Sequence, residues 1–296
     1  MKRRIFIPRA TLALFIGVLM SIIFTANVMA ATTIEDNYSA SGSAAVSSII
    51  IPVTGQSFTS YKIWYPTNMD AGSYPVIVWS NASNETYSNH ESYLSRLASW
   101  GFVVIGNDDS STGKGLTTLE MGKYMIDQNS NILSIFYNKL NINKIGVGGA
   151  SQGGSGAINA ATKYADSGIF KSIFTMSTPQ LPLVKGTDLE YNPALIDIPY
   201  FICAGTGFVD AFIIAPLASL QNTYNTIPIG VPAVMGRVKN ADHDQTLVDK
   251  SWGYMTAWFC YTLKDDAVAG AAFIGTTPEI KTNTGRWQDV ATKNLP

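Results

Sequence analysis

The sequence predicts an α/β fold in which a mostly parallel central sheet carries helices on both of its faces. Short apolar runs of strand length alternate along the chain with longer stretches of helical period, which is the order that βαβ units produce. A Gly-x-Ser-x-Gly motif follows one of these runs and precedes a helix-forming stretch. Of the 296 residues, 46% are hydrophobic, which is enough for a large core.

The first 30 residues are expected to be a secretory signal peptide rather than part of the fold. Four basic residues come first, an apolar run follows at residues 11–24, and small residues stand at the end, up to Ala30. The alternative is a membrane anchor, but a bilayer span needs about 20 apolar residues. We therefore expect cleavage near Ala30, export without a stable membrane anchor, and one domain over residues 31–296 that acts as a monomer.

The predicted strands and helices follow one another in a regular order. Residues 58–65 alternate and are rich in aromatic and β-branched side chains, and the later strands are short apolar runs, as expected for a buried parallel sheet. Residues 178–198 have no clear period and are expected to be a surface excursion. The predicted strands are 58–65, 74–79, 102–105, 144–148, 170–176, 200–204 and 231–238. The predicted helices are 91–100, 116–140, 152–164, 210–224 and 245–262.

Composition excludes several kinds of protein. The chain has 20 basic and 21 acidic residues, so it lacks the basic excess of a protein that binds nucleic acid through phosphates. The chain has two histidines and two cysteines, which match no usual pattern of zinc ligands; they are His90, His243, Cys203 and Cys260. No metal or organic cofactor is expected. In an oxidising compartment the two thiols could form a disulfide, and two separate buried thiols are the alternative.

The strongest motif is Gly-Ala-Ser-Gln-Gly at residues 149–153. A serine nucleophile on a strained turn between a strand and a helix needs very small residues two positions before and two positions after it. Such a turn projects the Ser151 hydroxyl above the sheet and leaves the Gln152 backbone N–H at a helix N-terminus, facing a developing oxyanion. The alternative, an ordinary glycine-rich turn, is disfavoured by the strand before the motif and the helix after it.

A serine hydroxyl needs a base to accept its proton, and His243 is the candidate. In hydrolases with this motif the order along the chain is serine, acid, histidine, and only His243 lies downstream of Ser151. It follows the predicted strand 231–238, in a loop at the carboxyl end of a strand, where the functional groups of α/β sheets gather. The alternative is a solvated surface histidine. His90 precedes the serine and is expected to be a surface residue at a helix start.

The acid of a triad is expected in the loop after the preceding strand, 200–204, and this loop leads to Asp210. Its carboxylate would accept the second imidazole N–H and fix the ring tautomer. The position of Asp210 also suits a helix N-cap. Asp242 and Asp244 are too close to His243 in the sequence to orient its ring in the usual way.

A second oxyanion donor is expected after the predicted strand 74–79. In this kind of site it is a backbone N–H of the loop that follows an early core strand. The N–H groups of Asn81 and Ala82 are the candidates, and the sequence leaves the choice between them open.

These residues resemble exported α/β-hydrolases of the dienelactone hydrolase, cutinase-like and polyester-hydrolase group. The shared segments lie within residues 58–262 and include 75–79, 97–104, the serine motif, 210–216 and His243. The resemblance implies an α/β-hydrolase fold with Ser151 as nucleophile, Asp210 as acid and His243 as base. It also implies an oxyanion hole made by the N–H groups of Gln152 and Asn81. Gln152 stands where polyester hydrolases usually carry methionine.

Together these features predict a secreted serine hydrolase that cleaves small-molecule or polymeric carboxylic esters through an acyl-enzyme. A fold does not fix a function, so the alternative is a secreted, non-catalytic protein that binds carbohydrate or another surface on the same fold.

Overall fold

The central sheet has nine strands in the part of the chain that the computed structural model describes, residues 33–69 and 72–295. The expected signal peptide, residues 1–30, lies outside the described residues. The strands are β1 Val46–Pro52, β2 Ser60–Pro66, β3 Tyr74–Ser80, β4 Val103–Asn107, β5 Leu140–Ala150, β6 Phe170–Met176, β7 Tyr200–Gly205, β8 Ala233–Val238 and β9 Trp287–Lys293.

The order of the strands across the sheet is β1-β2-β4-β3-β5-β6-β7-β8-β9. All pairs from β4 to β8 are parallel, while β1–β2, β2–β4 and β8–β9 are antiparallel. The sheet is therefore mostly parallel, as predicted, with antiparallel strands at its two edges.

Helices connect most of the strands. The α-helices are α1 Ile34–Ser39, α2 Glu91–Ser99, α3 Leu116–Ser130, α4 Gln152–Thr162, α5 Leu181–Val184, α6 Leu217–Thr226, α7 Gln245–Lys264, α8 Ala267–Gly270 and α9 Glu279–Thr282. A π-helix spans Asp210–Ile214, and short 3-10 helices span Tyr87–His90, Thr112–Lys114, Ser167–Ile169 and Pro193–Leu195. Within the described residues, no helix combines the length and the apolar character needed to cross a membrane.

The sheet is covered on both faces, which explains why its central strands are apolar throughout. In β7, Tyr200 and Ile202 enter the core formed with α3, α4 and α6, while Phe201 and Cys203 enter the core formed with α1, α2 and α7. Successive side chains of a strand point to opposite faces, so both sets must be hydrophobic. The predicted fold class, with helices on both faces of the sheet, is confirmed.

The strand order reverses at β3, which lies between β4 and β5. In open α/β sheets, ligands bind outside the carboxyl ends of the strands at such a reversal. The end of β3 is held directly beside the end of β5, because Ser80 pairs with Gly149. The segments that follow β3 and β5 are therefore neighbours at the carboxyl edge of the sheet.

Two predicted helices are wrong in extent. Residues 116–140 do not form one helix, because α3 ends at Ser130 and β5 already begins at Leu140, whose N–H donates to Asn129 Oδ1 (2.8 Å). Residues 210–224 are split into the π-helix and α6 by Pro216, which has no N–H to continue a helix. The apolar pattern continues across both interruptions, so the pattern alone predicts a continuous helix in each segment.

The sequence patterns also do not predict α1, β1 or β9. Helix α1 has only six residues, too few for a clear helical period, and β9 is a largely polar strand at the edge of the sheet. Both depend on contacts with distant parts of the chain.

Cys203 in β7 and Cys260 in α7 are both free thiols, and both are buried. Burial raises the pKa of Cys260 to about 12 and the pKa of Cys203 further, so both remain protonated at neutral pH. Of the two alternatives, the structure therefore has two separate buried thiols.

Helix α1 is tied to the C-terminal part of the domain. The two carboxylate oxygens of Glu279 accept the N–H groups of Ile34 (2.7 Å) and Glu35 (2.8 Å), two of the unpaired donors at the start of the helix. This contact draws the Glu35 side chain into the interior, where the residue is 1% exposed.

The buried Glu35 carboxylate is surrounded by donors. Its Oε1 accepts the indole N–H of Trp287 (2.8 Å), and its Oε2 accepts Asn283 Nδ2 (2.6 Å), with Arg286 Nε at 3.6 Å. Burial nevertheless raises the pKa of Glu35 to about 7, because the loss of hydration outweighs these interactions.

We expect Glu35→Gln to flatten the pH dependence of stability. The folded state holds the Glu35 proton up to about pH 7 and the unfolded state releases it near pH 4.5, so rising pH across this window destabilises the wild type. The loss is at most about 3 kcal/mol in the free energy of unfolding. Urea denaturation between pH 4.5 and pH 8 measures it. Asp127→Asn, at an exposed carboxylate of α3, serves as the control and should keep the wild-type slope. Identical slopes in wild type and Glu35→Gln would contradict the assignment.

Candidate active site

Ser151 occupies a strained turn between β5, which ends at Ala150, and α4, which begins at Gln152. Its φ of 54° and ψ of −126° are a combination that residues with a side chain rarely adopt. The turn is held from both sides, because the Ser151 N–H donates to the Met176 carbonyl (3.0 Å) and the Ser151 carbonyl accepts the Gly154 N–H (2.8 Å). This is the strand–turn–helix context that a nucleophile elbow requires.

The two glycines of the motif are required by close backbone contacts. A Cβ on Gly149 would lie 2.1 Å from the Gly153 carbonyl oxygen, and a Cβ on Gly153 would lie 2.1 Å from the Ser80 carbonyl oxygen. Both distances are far below a van der Waals contact, so no other residue fits without moving the backbone. The turn can therefore approach the end of β3 only because these positions have no side chain.

The structure brings the three residues expected to form a triad into hydrogen-bonding contact. His243 Nε2 lies 3.0 Å from Ser151 Oγ, and His243 Nδ1 lies 2.9 Å from Asp210 Oδ1. Asp210 is fully buried, while the His243 side chain is 25% exposed. The imidazole can thus accept the serine proton at one nitrogen while the other nitrogen is held by a carboxylate.

The second oxygen of Asp210 is also occupied. Asp210 Oδ2 accepts hydrogen bonds from Ser177 Oγ (2.6 Å) and from the Gly205 N–H (2.6 Å). These donors stabilise a carboxylate that is removed from water and fix its orientation toward His243. Ser177 directly follows β6, and no spacing rule in the sequence identifies it.

Asp242 supports the site in a way that its sequence position does not suggest. Its carboxylate does not contact the imidazole ring, but it accepts the backbone N–H groups of His243 (2.8 Å), Asp210 (2.9 Å) and Val209 (3.2 Å). Although burial acts in the opposite direction, these N–H groups and the nearby His243 lower the pKa of Asp242. Asp242 therefore links the acid loop to the histidine loop. Asp244 caps α7 by accepting the Thr246 N–H (2.8 Å).

The candidate oxyanion donors lie where β3 and β5 end. Asn81 is completely buried, and its side-chain amide donates to the carbonyl oxygens of Asn107 (2.9 Å) and Asp109 (2.8 Å), which fixes the loop after β3. Ala82, the next residue, lines the pocket above Ser151, whereas Asn81 does not. Gln152 stands at the N-terminus of α4, where backbone N–H groups have no acceptor within the helix.

His90 is not the surface residue that the sequence suggests. It ends the 3-10 helix before α2, as expected for a helix start, but it is only 4% exposed and lines the same pocket as Ser151. Its ring packs against Trp79 and Tyr93, with centroids 5.9 Å and 5.4 Å away. Burial lowers the pKa of His90 to about 4, so the ring is neutral at pH 7. Aromatic neighbours distant in the sequence cover it, so no local pattern indicates its burial.

Among the described residues, no group of three or more histidine, cysteine, aspartate or glutamate side chains is placed to hold a metal ion. The residues gathered at this edge can transfer a proton from a hydroxyl to an imidazole. The backbone of Gln152 directly follows Ser151, and Ala82 lines the same pocket.

Comparison with known proteins agrees with this architecture. A family model described as PET hydrolase-like matches residues 31–243, which is more than half of the chain. The matched segment includes Ser151, Asp210 and His243. No curated protein matches the chain. The family has the α/β-hydrolase fold, consistent with the nine-stranded, mostly parallel sheet.

We expect Gly153→Ala to destabilise the protein by at least about 2 kcal/mol, because the new Cβ would collide with backbone oxygen atoms at the end of β3. The matched control is Gly168→Ala, since a Cβ at Gly168 meets no atom within 4 Å and its φ is not positive. The control should change the free energy of unfolding by no more than about 0.5 kcal/mol. Urea denaturation of both variants measures the difference. Equal stability of the two would show that the turn does not need the close approach.

Proposed function

Because the chain belongs to the PET hydrolase-like family, we propose that it is a secreted serine hydrolase that cleaves carboxylic esters through an acyl-enzyme on Ser151. The observation that carries the proposal is the continuous contact from Ser151 Oγ through His243 to the buried Asp210, with distances of 3.0 Å and 2.9 Å. The strained backbone at Ser151 adds support, because such strain is concentrated at functional sites.

In the proposed reaction, His243 Nε2 accepts the proton of Ser151 as Oγ attacks the ester carbonyl carbon. Asp210 accepts the Nδ1–H and stabilises the imidazolium that forms. The alcohol then leaves with the proton from His243, and water repeats the sequence on the acyl-enzyme to release the acid.

The oxyanion of each tetrahedral intermediate is proposed to be held by the Gln152 N–H and by a second N–H from the turn at Asn81 and Ala82. The position of Ala82 on the pocket wall favours Ala82 over Asn81 as the second donor. Each such donor contributes roughly 3–4 kcal/mol to lowering the barrier.

Residues 1–30 are proposed to direct export and to be removed by cleavage near Ala30. The sequence has the three parts of a secretory signal in this segment, and the family match begins at residue 31, the first residue after the expected cleavage site.

A polyester chain is the substrate that the surface beside the triad favours. Phe208 and Phe212 stand two residues before and two residues after Asp210, and they are 67% and 71% exposed. Their ring centroids are 5.4 Å apart, so the two rings form one apolar surface. The adjoining Ile213 is 43% exposed, and its carbonyl is held by Gln180 Nε2 (2.6 Å). An exposed apolar patch on the segment that carries Asp210 indicates contact with a hydrophobic partner.

We expect Ser151→Ala to lower the hydrolysis of p-nitrophenyl esters by at least about 10³-fold and to abolish labelling by a fluorophosphonate probe, with the fold intact. Ser155→Ala is the matched control, because Ser155 lies on α4, is buried and has no hydrogen-bond partner among the described residues. The control should still be labelled. Turnover by Ser151→Ala close to the wild-type rate would contradict the mechanism. Folded wild-type protein that is never labelled would favour a non-catalytic binding protein.

We expect the double variant Phe208→Ser/Phe212→Ser to lose activity on polyester particles relative to its activity on a soluble ester, by about fivefold or more, because apolar contact with the polymer is removed. Ile132→Ser/Leu133→Ser is the control, since these residues are 74% and 90% exposed but lie before β5, at the opposite edge of the sheet. Acid release from particles and from the soluble ester gives the two rates. An equal ratio in both double variants would exclude the proposed role of the rings.

A further inference from the structure

One wall of the pocket beside the candidate triad carries a carboxylate that the mechanism does not use. Glu85 follows β3, and its backbone N–H donates to the Ala82 carbonyl (3.1 Å). The residue lines the pocket together with Ser151 and His243, and its side chain is 39% exposed. Burial raises the pKa of Glu85, and electrostatic attraction from His243 opposes that rise.

The Glu85 carboxylate lies next to the buried side chain of His90. His90 Nε2 lies 3.2 Å from Glu85 Oε2, and His90 is itself packed between Trp79 and Tyr93. The imidazole is neutral at pH 7, so it does not cancel the charge of the carboxylate.

The described lining of this pocket carries more acidic than permanently basic side chains. Among the described residues that line the pocket there is no lysine or arginine, and the other acidic residue is Asp244. Tyr93 lines the same wall and is 1% exposed, and its hydroxyl has no hydrogen-bond partner of good geometry in the described part of the chain. The wall therefore presents the Glu85 carboxylate without a neighbouring lysine or arginine, which favours contact with a neutral or positively charged group of the substrate.

We propose that Glu85 is a specificity-determining residue that selects esters by charge, favouring cationic and neutral substrates and rejecting those with a carboxylate near the ester. The inference rests on the proposed ester hydrolysis at Ser151. A charge that is partly withdrawn from water interacts with a nearby substrate charge more strongly than an exposed charge does, and like charges brought together in such a pocket are destabilising.

The test uses three butyrate esters whose leaving groups share one linker and end in a trimethylammonium, a tert-butyl or a carboxylate group. For the wild type we expect kcat/KM to fall in that order. Glu85→Gln should lower the ratio of the cationic to the anionic ester about tenfold, and high salt should reduce the wild-type ratio. Glu91→Gln is the matched control, because Glu91 lies six residues away, pairs with Lys62 and does not line the pocket. It should keep the wild-type ratio.

Binding to Ser151→Ala separates this inference from the proposed function. Calorimetry with the three corresponding amides measures the charge order without turnover, and Glu85→Gln in that background should weaken the preference for the cation. If no ester is cleaved but the amides bind in the expected order, the charge selection stands and the ester hydrolysis fails. If the esters are cleaved with the same cationic-to-anionic ratio in wild type and Glu85→Gln, the charge selection is wrong and the hydrolysis stands.

Discussion

The site depends on how closely the turn at Ser151 approaches the end of β3. The carbonyl oxygen of Ser80 lies 2.1 Å from the position that a Cβ of Gly153 would take, so the two backbones are in contact. This contact places Ser151 beside the loop after β3, which lines the pocket at Ala82, at the reversal of the strand order. Once the serine is fixed there, the loops after β7 and β8 must bring Asp210 and His243 to it.

Two aspartates position the loops after β7 and β8 in different ways. Asp210 is buried, and the cost of removing its charge from water is offset by donors from Ser177, Gly205 and the imidazole. Asp242 remains at the surface and uses its charge on the backbone of both loops. One carboxylate therefore orients the ring, while the other fixes the distance between the two loops that carry the pair. Both contacts are required because loops are less rigid than the strands that they follow.

Local patterns predict much of this arrangement from the sequence. Apolar runs and the small residues around Ser151 are visible without a structure, and chain order leads to Asp210 and His243. The burial of His90, the contact of Ser177 with Asp210 and the backbone contacts of Asp242 could not be predicted. Each of them arises where loops from separate strands meet, and the sequence does not give that geometry. The edge strands are missed for a related reason, since partly exposed strands lack the strong apolar pattern of buried ones.

The two surfaces proposed to contact the substrate would set different conditions on it. In these proposals, the exposed rings of Phe208 and Phe212 favour an apolar partner, while the Glu85 carboxylate in the pocket disfavours negative charge there. An ester inside a polyester chain is neutral and flanked by apolar groups, so it meets both conditions. An ester next to a free acid end meets only the first condition, because its carboxylate would face Glu85 in a pocket without lysine or arginine among its described lining residues. The two proposals together therefore predict that the protein cleaves ester bonds within the chain rather than at its acid end.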